Sequence, residues 1–465
     1  MAIILLAVLT ILNANILKIL KVKSQNLKNG EKNSMQTIRI IGAGLAGSEA
    51  AYQLANLGFK VDLYEMKSIK RHPAFKTEKF GELICSNSLR SDNIENAVGL
   101  LKEEMRTLNS LIMEAADATR VDAGTSLAVD RESFSQYITD KIKGHPNIKV
   151  IEEEVTDINP DIPTIIASGP LTEGALSKRI SELTHQDYLY FFDAVSPIIE
   201  KDSIDFNSAY IKSRYDEGDG DYINCPMNRE EFFNFYRELI QAKCIEVKDV
   251  DKETYFEGCM PFEEMAKRGY NTLLFGPMKP VGLEHNGRKP YAVVQLRQDN
   301  AIKTLYNIVG FQTHLTFGEQ KRILSMVPAL KNCHIVRYGV MHRNTYINSP
   351  KVLNNHYQML EYPNIFFAGQ ISGVEGYVES AASGLYAALS MMMYLRNDDY
   401  TLNSDCMMGA MANYISDHHI EKLVPMNANF GIFKTQEPIS KKEKRQMYVK
   451  IALDNINKLK EHIYG

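Results

Sequence analysis

The sequence predicts an α/β fold, a Rossmann-type domain that is interrupted by an inserted α+β domain. The first observation is a short β-branched run at 38–41, followed by closely spaced glycines and by apolar residues at helical period over 48–57. The second is a similar junction at 362–388, where an apolar run leads into glycines and a helix of small residues. Between about 180 and 330, clustered aromatic residues and Gly/Asp turns are instead typical of antiparallel strands.

The first glycine-rich turn has the spacing of a dinucleotide-binding unit. Gly42, Gly44 and Gly47 form a G-x-G-x-x-G pattern before the helix. Gly42 permits the tight turn, Gly44 lets the backbone approach a pyrophosphate, and Gly47 lets the helix pack closely on the strand. The helix N-terminus offers free N–H groups to phosphates. A second strand over 60–64 ends in Glu65, whose carboxylate can accept from ribose hydroxyls, so dinucleotide binding is favoured over a ligand-free turn.

The residues predicted to bind the dinucleotide come from both glycine-rich junctions. The late junction can close the first domain against its ligand, and a plain buried helix entry is the alternative. The predicted cofactor-binding residues are Gly42, Ala43, Gly44, Leu45, Ala46, Gly47, Glu65, Gly369, Gln370 and Gly373.

Shifts in composition divide the chain into five predicted segments. After an N-terminal extension, two parts of the dinucleotide-binding domain flank the inserted substrate domain, and a polar helical segment follows. The predicted bounds are 1–34, 35–180, 181–330, 331–400 and 401–465.

The extension is interpreted as lying outside the folded protein, with Met35 as the start. Its apolar stretch, Ala2–Leu20, is broken by Asn13, Asn15 and Lys18 and is marginal in length for a membrane span. It also lacks the basic flank and cleavage site of a signal peptide. We therefore expect no stable membrane association, with an amphipathic or membrane anchor as the alternative.

Charge and cysteine content narrow the class of protein. The 465 residues carry a net charge of −4, so a nucleic-acid partner would need a local basic patch. Lys67, Lys70, Arg71 and the cluster Lys441–Arg445 are candidates, although a solvated helix face is the ordinary interpretation of the last. The six cysteines include no C-x-x-C pair, which argues against a zinc site or disulfide scaffold. Reduced thiols, a cytoplasmic location and no metal are expected.

Two cysteines stand out by their neighbours. Cys85 follows a basic segment and precedes Arg90, and Cys225 precedes Pro226 in a turn-like context. The thiolate is the reactive form, and nearby cations favour it. A single cysteine is more commonly a small buried hydrophobe, and this is the interpretation of the others, Cys244, Cys259, Cys333 and Cys406.

Several motifs together give the sequence a resemblance to a known family. They are IIGAGLAGSEAA, GELICSNSLRSD, DATRVDAGTSLAVDRESF, YINCPMN, YFEGCMPFEEMA, LLFGPMKPVGL, AVVQLRQDN, GFQTHL, YGVMHRNTYI and FFAGQISGVEGYVESAASGL, spread from Ile40 to Leu385. The sequence resembles the folate- and flavin-dependent tRNA (uracil-5-)-methyltransferases, the TrmFO family. The extension before Met35 departs from the family pattern.

The resemblance implies an enzyme. FAD would occupy the glycine-rich site of a glutathione-reductase-like FAD-binding domain, with Glu65 on the adenosine ribose. The carbon would come from 5,10-methylenetetrahydrofolate, NAD(P)H would reduce the flavin, and 5-methyluridine would form at position 54 in the T loop of tRNA. Since the chain has a single dinucleotide fingerprint, NAD(P)H would bind only transiently.

The resemblance also implies roles for particular residues. C5 of uracil is a weak nucleophile, and a thiolate that adds at C6 makes C5 reactive. Cys225 is assigned as this nucleophile, and Cys85 as a group that guards or relays the one-carbon unit or helps to remove the C5 proton. His342, Arg343 and Tyr346 are expected in the folate and flavin pocket, where they could stack on a ring or hold a carboxylate.

Three alternatives remain open on the sequence alone. The same chemistry could act on a uridine of 23S ribosomal RNA, since both substrates need the same thiol and flavin. The chain could be a general FAD-dependent NAD(P)H oxidoreductase, although the missing C-x-x-C pair opposes a thiol–disulfide version. A non-catalytic flavin- or RNA-binding protein is the third, and Cys85 and Cys225 in their motifs oppose it.

Overall fold

The protein is described here by a computed structural model that covers residues 36–214, 221–245, 260–433 and 441–465. The predicted extension 1–34 and Cys259 lie outside these residues. The strands are β1 (Thr37–Ile41), β2 (Lys60–Glu65), β3 (Ser88–Ser91), β4 (Arg120–Val121), β5 (Ser126–Val129), β6 (Ile148–Glu152), β7 (Thr164–Ile166), β8 (Leu189–Ala194), β9 (Ile198–Glu200), β10 (Tyr210–Ile211), β11 (Tyr222–Met227), β12 (Ala292–Gln298), β13 (Leu305–Ile308), β14 (Ile335–Arg337), β15 (Met341–Tyr346) and β16 (Ile365–Phe367). The helices are α1 (Leu45–Asn56), α2 (Ala97–Thr107), α3 (Leu111–Ala118), α4 (Arg131–Lys143), α5 (Gly174–Thr184), α6 (Arg229–Leu239), α7 (Phe262–Lys267), α8 (Tyr270–Phe275), α9 (Phe317–Leu324), α10 (Tyr377–Arg396), α11 (Met407–Ile415) and α12 (Lys441–Tyr464).

A five-stranded parallel sheet forms the centre of the first domain. Its strand order is β16-β7-β1-β2-β6. A strand that follows the inserted part, β16, therefore pairs with a strand that precedes it, β7. The apolar runs that predicted strands are fully buried, as expected for a parallel sheet that is covered on both faces. The predicted Rossmann-type α/β class is confirmed.

Helices α1 and α10 pack against each other beside this sheet. Gly384 of α10 lies so close to α1 that an added Cβ would be 2.2 Å from the carbonyl oxygen of Ala46. This contact explains the small residues of the late helix, since larger side chains would push α10 away from α1. The two glycine-rich junctions are thereby held next to each other.

The inserted part contains a six-stranded antiparallel sheet, in the order β10-β11-β12-β13-β9-β14. Its last strand, β14, lies beyond the predicted boundary at 330, and the domain boundaries otherwise stay a prediction. Successive side chains of a strand point to opposite faces. One face packs into a hydrophobic core with α6, α7 and α9, and the other carries polar side chains, among them Asn224, Gln295, Arg297 and Asn307.

Two smaller sheets complete the described fold. Strands β8 and β15 pair antiparallel, and β3, β5 and β4 form a three-stranded sheet that follows the loop containing Cys85. Among the described residues, no helix has both the length and the apolar character needed to cross a bilayer.

The buried carboxyl group of Glu104 makes the stability of the first domain depend on pH. Its oxygens accept from the backbone N–H groups of Met407 and Met408, at 2.6 and 2.8 Å. Burial outweighs these bonds and raises the pKa of Glu104 to about 7. Because the unfolded carboxyl ionises at a lower pH than the folded one, the free energy of unfolding falls as pH rises between about 4.5 and 7, by up to roughly 3 kcal/mol.

Urea unfolding at pH 5 and pH 7.5 measures this effect. In Glu104→Gln, which cannot ionise, we expect this part of the pH dependence to disappear, although one backbone N–H loses its partner. An equal decrease in wild type and variant would show that another group causes it.

Candidate active site

The first glycine-rich turn borders a deep cleft at the carboxyl ends of the parallel strands. Gly42 has φ +98°, and a Cβ there would lie 2.6 Å from the carbonyl oxygen of Ala167. A Cβ on Gly47 would lie 1.8 Å from the carbonyl oxygen of Gly42. A Cβ on Gly44 would meet nothing within 4 Å, and Gly44 lines the cleft. The turn and packing glycines are therefore required by the protein itself, and Gly44 leaves space for a ligand.

The start of α1 leaves backbone donors available beside this space. Gly44 is the N-cap, without a side-chain hydrogen bond, and the first turn carries no acidic residue. Such N–H groups and the helix dipole favour a phosphate group. Glu65 also lines the cleft and accepts from the N–H of Ala43 at 2.9 Å and of Met66 at 2.8 Å. The carboxylate is thus held at the tip of β2, as the sequence predicts.

The late junction contributes a second edge to the cleft. Gly369 has φ +79°, its N–H donates to the Ser383 hydroxyl at 2.7 Å, and both Gly369 and Gln370 line the cleft. Gly373 does not line it. A Cβ on Gly373 would lie 2.2 Å from a side-chain carbon of Leu423, so this glycine serves a tight turn against Leu423. The prediction of Gly373 as a cofactor-binding residue is not supported by its position.

A second cleft adjoins the first and shares lining residues with it. The two clefts have volumes of about 1220 and 1400 Å³ when the space open to solvent is included. Cys85, Arg297, Asn307, Gln312 and Asn344 line the second cleft. The residues shared by both linings are Ile84, Pro170, Leu171, Gln370 and Tyr377.

Three guanidinium groups surround the loop that carries Cys85. Arg131 donates to the carbonyl oxygens of Leu83, at 2.8 Å, and Cys85, at 3.2 Å, while Arg337 donates to that of Ile84 at 2.8 Å. Arg297 donates to the Ser86 hydroxyl at 2.6 Å and to Asn87 Oδ1 at 3.3 Å. Among the described residues, Asp299 is the carboxylate that pairs with this group, through Arg131 at 3.1 Å. The excess positive charge favours a thiolate or another anion at Cys85.

Tyr377 fixes the same loop from the side of α10. Its hydroxyl oxygen accepts from the N–H groups of Cys85, at 2.6 Å, and Ser86, at 3.3 Å. Burial raises the pKa of Tyr377 well above its usual value, so the phenol stays protonated. Tyr377 therefore positions Cys85 at the point where the two clefts meet.

Replacement of this tyrosine by phenylalanine tests the positioning role. In Tyr377→Phe, two backbone N–H groups lose their acceptor. We therefore expect a loss of about 1–3 kcal/mol in unfolding free energy and a lower rate of Cys85 alkylation. Tyr386→Phe is a matched control, since this buried hydroxyl accepts from Leu402 N at 3.1 Å in the same helix. Chemical denaturation and alkylation of Cys85 are the measurements. Equal alkylation rates in both variants would contradict the role of Tyr377.

Cys225 does not lie in either cleft. It is 0 % exposed and belongs to the hydrophobic core of the inserted sheet, where burial raises the pKa of its thiol. Its strand neighbours Ile223 and Met227 point to the same core, and Asn224 points to the other face. A buried thiol in an apolar core cannot reach a substrate or ionise readily. This position opposes the assignment of Cys225 as the C6 nucleophile.

Comparison with known proteins places the chain in a family. The family model "Glucose inhibited division protein A" matches residues 37–399. A curated relative from Bacillus licheniformis, named methylenetetrahydrofolate–tRNA-(uracil-5-)-methyltransferase TrmFO, is 55% identical over 429 residues, covering 91% of this chain and 99% of the relative. The relatives of the same name from Bacillus subtilis and Listeria monocytogenes are also 55% identical, each covering 92% of this chain and 100% of the relative. The chain belongs to the TrmFO family.

A solved structure shares the fold of this TrmFO-family chain. GidA from Aquifex aeolicus, in its form II crystal, aligns with a TM-score of 0.68 and 15% identity, covering 92% of this chain and 74% of that chain. The family resemblance inferred from the motifs is thus confirmed by the sequence comparisons, and the GidA structure shows the shared fold.

The predicted folate and flavin residues of the TrmFO motif YGVMHRNTYI lie mostly away from the clefts. The Arg343 guanidinium is exposed and stacks over the Tyr190 ring at 4.1 Å. Tyr346 is buried against Leu423 and donates to its carbonyl oxygen at 3.2 Å. The side chain of His342 lies outside the described residues. Asn344 of the same strand lines the second cleft, and the prediction missed it.

The structure leaves fewer exposed basic residues than the sequence predicts for an RNA-binding surface. Lys67 is 5 % exposed, lines the first cleft, and donates to the carbonyl oxygen of Lys79. It is therefore not an RNA-facing residue. Lys70 and Arg71 are exposed, although Lys70 is paired with Glu154 at 2.6 Å. In the C-terminal cluster, Lys444 lies over the Tyr448 ring at 5.5 Å.

One group of metal-ligating side chains occurs among the described residues. Ligand atoms of Cys244, Glu264 and His314 lie within 4.8 Å of one another. Lys267 Nζ lies 2.6 Å from Glu264, and His314 Nδ1 lies 2.9 Å from Glu263. Burial opposes protonation of His314, but bonds to Cys244 and Glu263 raise its pKa to about 10. The described contacts of this group are thus ion pairs and hydrogen bonds with Glu263 and Lys267.

Proposed function

We propose that this chain is a methylenetetrahydrofolate–tRNA-(uracil-5-)-methyltransferase that forms 5-methyluridine at position 54 in the T loop of tRNA. FAD would bind in the first cleft, 5,10-methylenetetrahydrofolate would supply the carbon, and NAD(P)H would supply the electrons. The family membership supports the reaction, and the reduced cysteines and the RNA substrate support a cytoplasmic location.

The observation that carries the proposal is the continuity of the two clefts. The cleft at the glycine-rich turn fits a dinucleotide, because Gly44 leaves space beside uncapped N–H groups and Glu65 lies at the strand tip. The neighbouring cleft holds Cys85 and opens through Gln370 and Tyr377. A redox cofactor and a thiol can therefore act on one substrate.

The arginine residues around Cys85 can stabilise the anions that form when a thiol reacts with uracil. A thiolate that adds at C6 of uracil places negative charge on the ring oxygen and makes C5 nucleophilic. The charge of Arg131, Arg297 and Arg337 favours such anions in a partly buried cleft. FAD, when bound, supplies the redox chemistry. We assign Cys85 as a catalytic thiol of this cleft.

A second thiol can be sought in the motif YFEGCMPFEEMA. Cys259 of this motif lies outside the described residues. Phe262 of the same motif donates its backbone N–H to the carbonyl oxygen of Gln312, a residue of the second cleft, at 2.8 Å. Cys259 is therefore a second cysteine to test, beside Cys85, for a part in the reaction.

A single incubation tests the proposed function. Purified protein, unmodified tRNA transcript, methylenetetrahydrofolate and NADH or NADPH should yield 5-methyluridine, read by nucleoside mass spectrometry. A parallel incubation with a 23S ribosomal RNA transcript should give none. If 5-methyluridine formed only in the ribosomal RNA, that RNA would be the substrate. If NAD(P)H were oxidised without any 5-methyluridine, the protein would be a general oxidoreductase.

A further inference from the structure

The second cleft has a polar wall built by neighbouring strands of the inserted sheet. Arg297 of β12 and Asn307 of β13 are directly paired in register, so their side chains lie side by side on the face opposite the hydrophobic core. Gln312 follows β13 and lines the same cleft, as does Cys85. The wall thus places a cation and two amides beside the catalytic thiol.

Both amides of this wall have a buried atom without a hydrogen bond among the described residues. Asn307 is 3 % exposed, and its Nδ2 donor has no partner. The Oε1 acceptor of Gln312 is likewise buried and without a partner. Buried polar groups in proteins are normally paired, and exceptions call for an explanation. Both residues line the same cleft, so a ligand there that offers the complementary pair would supply the missing partners.

The complementary pair is an N–H next to a carbonyl oxygen in a flat ring. Uracil presents O4, N3–H and O2 along its pairing edge, whereas cytosine presents an amino group and an unprotonated N3 in place of O4 and N3–H. When the reaction at C6 fixes the orientation of the ring, an amide N–H that donates to O4 and an amide oxygen that accepts from N3–H match uracil, and both contacts are lost in cytosine. The pterin ring of a folate carries the same N–H and carbonyl pair, so the two sources must be separated by experiment.

We infer that Asn307 and Gln312 read the pairing edge of the target uracil, with Asn307 donating to a carbonyl oxygen and Gln312 accepting from N3–H. This inference rests on the proposed function. Uracil is favoured over pterin because Cys85 lines the same cleft, and the base that reacts with a thiol must lie within its reach. Enzymes that act on a base commonly read its flipped pairing edge in this way.

The positive charge of Arg297 also favours uracil over cytosine in this cleft. Its guanidinium is 8 % exposed, and it is held by Ser86 and Asn87 rather than by a carboxylate. Burial lowers the pKa of Arg297, but a guanidinium remains charged at neutral pH. A fixed cation beside the uracil edge stabilises negative charge on a ring oxygen, which cytosine does not develop at its amino group.

The test uses T-arm RNA hairpins that differ only in the target base, with the full chain containing FAD. The hairpins carry uridine, cytidine or 3-methyluridine, and each is measured as a competitor of 5-methyluridine formation in tRNA. The variants are Asn307→Ala and Gln312→Ala. Gln298→Ala is the matched control, since this buried glutamine donates to the carbonyl oxygen of Asn300 and does not line either cleft.

In wild type we expect the uridine hairpin to compete at least about tenfold better than the other two, because each mismatch leaves a buried amide atom unpaired. In Gln312→Ala the preference for uridine over 3-methyluridine should fall to near one. Both variants should lose about 10- to 100-fold in kcat/KM for RNA, with an unchanged KM for the folate. Gln298→Ala should keep the wild-type preference.

The possible failures point to different conclusions. If Gln312→Ala keeps the full preference for uridine, the inference is wrong. If the folate KM rises in both variants while the base preference stays, the amides read the pterin instead. If wild type makes no 5-methyluridine, the proposed function itself fails. Absorbance of bound FAD confirms that each variant is folded.

Discussion

Cys85→Ser is expected to reduce 5-methyluridine formation by roughly a thousandfold, while FAD uptake and NAD(P)H oxidation stay near wild type. A serine hydroxyl does not ionise at neutral pH, so the cations around the loop can no longer stabilise a reactive anion at this position. Cys85 lines the second cleft and not the cleft of the cofactor, and this is why flavin reduction should survive. Nucleoside mass spectrometry and NADH absorbance give the two rates.

Cys225→Ala is the matched control for this prediction. It removes a sulfur atom from the hydrophobic core, so we expect full methylation activity together with a loss of about 1 kcal/mol in unfolding free energy. If Cys225→Ala were inactive but stable, or Cys85→Ser fully active, the reassignment of the catalytic thiol would be wrong. Cys259→Ser belongs in the same series, because its motif reaches Gln312.

Gly44→Ala is expected to weaken FAD binding by about 10- to 100-fold without changing the stability of the flavin-free protein. Its φ of −71° is allowed for alanine, and the added methyl group would meet no protein atom within 4 Å. The methyl group would instead occupy cleft space that the pyrophosphate needs. Fluorescence titration with FAD and thermal unfolding of the flavin-free protein measure the two quantities.

Gly47→Ala should behave differently although the change is the same. Its methyl group would lie 1.8 Å from the carbonyl oxygen of Gly42, so the turn or the helix must move. We therefore expect lower stability of the flavin-free protein and, through the distorted turn, weaker FAD binding. If Gly44→Ala left the FAD dissociation constant unchanged, the cleft beside α1 would not hold the pyrophosphate.

The parts of the site that could be predicted depend on local sequence. The glycine turn and Glu65 follow from steric needs within about thirty residues, and the structure has each of them at the predicted place. Helix α4 likewise begins where a local signal stands, because Asp130 caps it by accepting from Ser133 N at 2.8 Å. The inserted sheet was predicted only from clustered aromatic residues and Gly/Asp turns, since the pairing of distant strands leaves little local signal in the sequence.

The errors at the site came from strand faces and from tertiary neighbours. In β11, Ile223, Cys225 and Met227 alternate with Tyr222 and Asn224, so the period of two already indicated that Cys225 faces a core. The same alternation in AVVQLRQ would have marked Arg297 as a residue of the opposite face. Tyr377 and Arg337 could not be found in this way, because they approach Cys85 from elements about 250–290 residues away.

The two-faced sheet has a consequence for how the enzyme can change. Along β12 and β13, successive side chains point alternately to the hydrophobic core and to the opposite face of the sheet. Substitutions of Arg297 in β12 and Asn307 in β13 change the cleft wall on the face opposite the packed interior. Deletion of one residue within β12 would exchange the two sets and expose apolar side chains to the substrate. The polar cleft wall can therefore change by replacement of a residue but not by insertion or deletion in this strand.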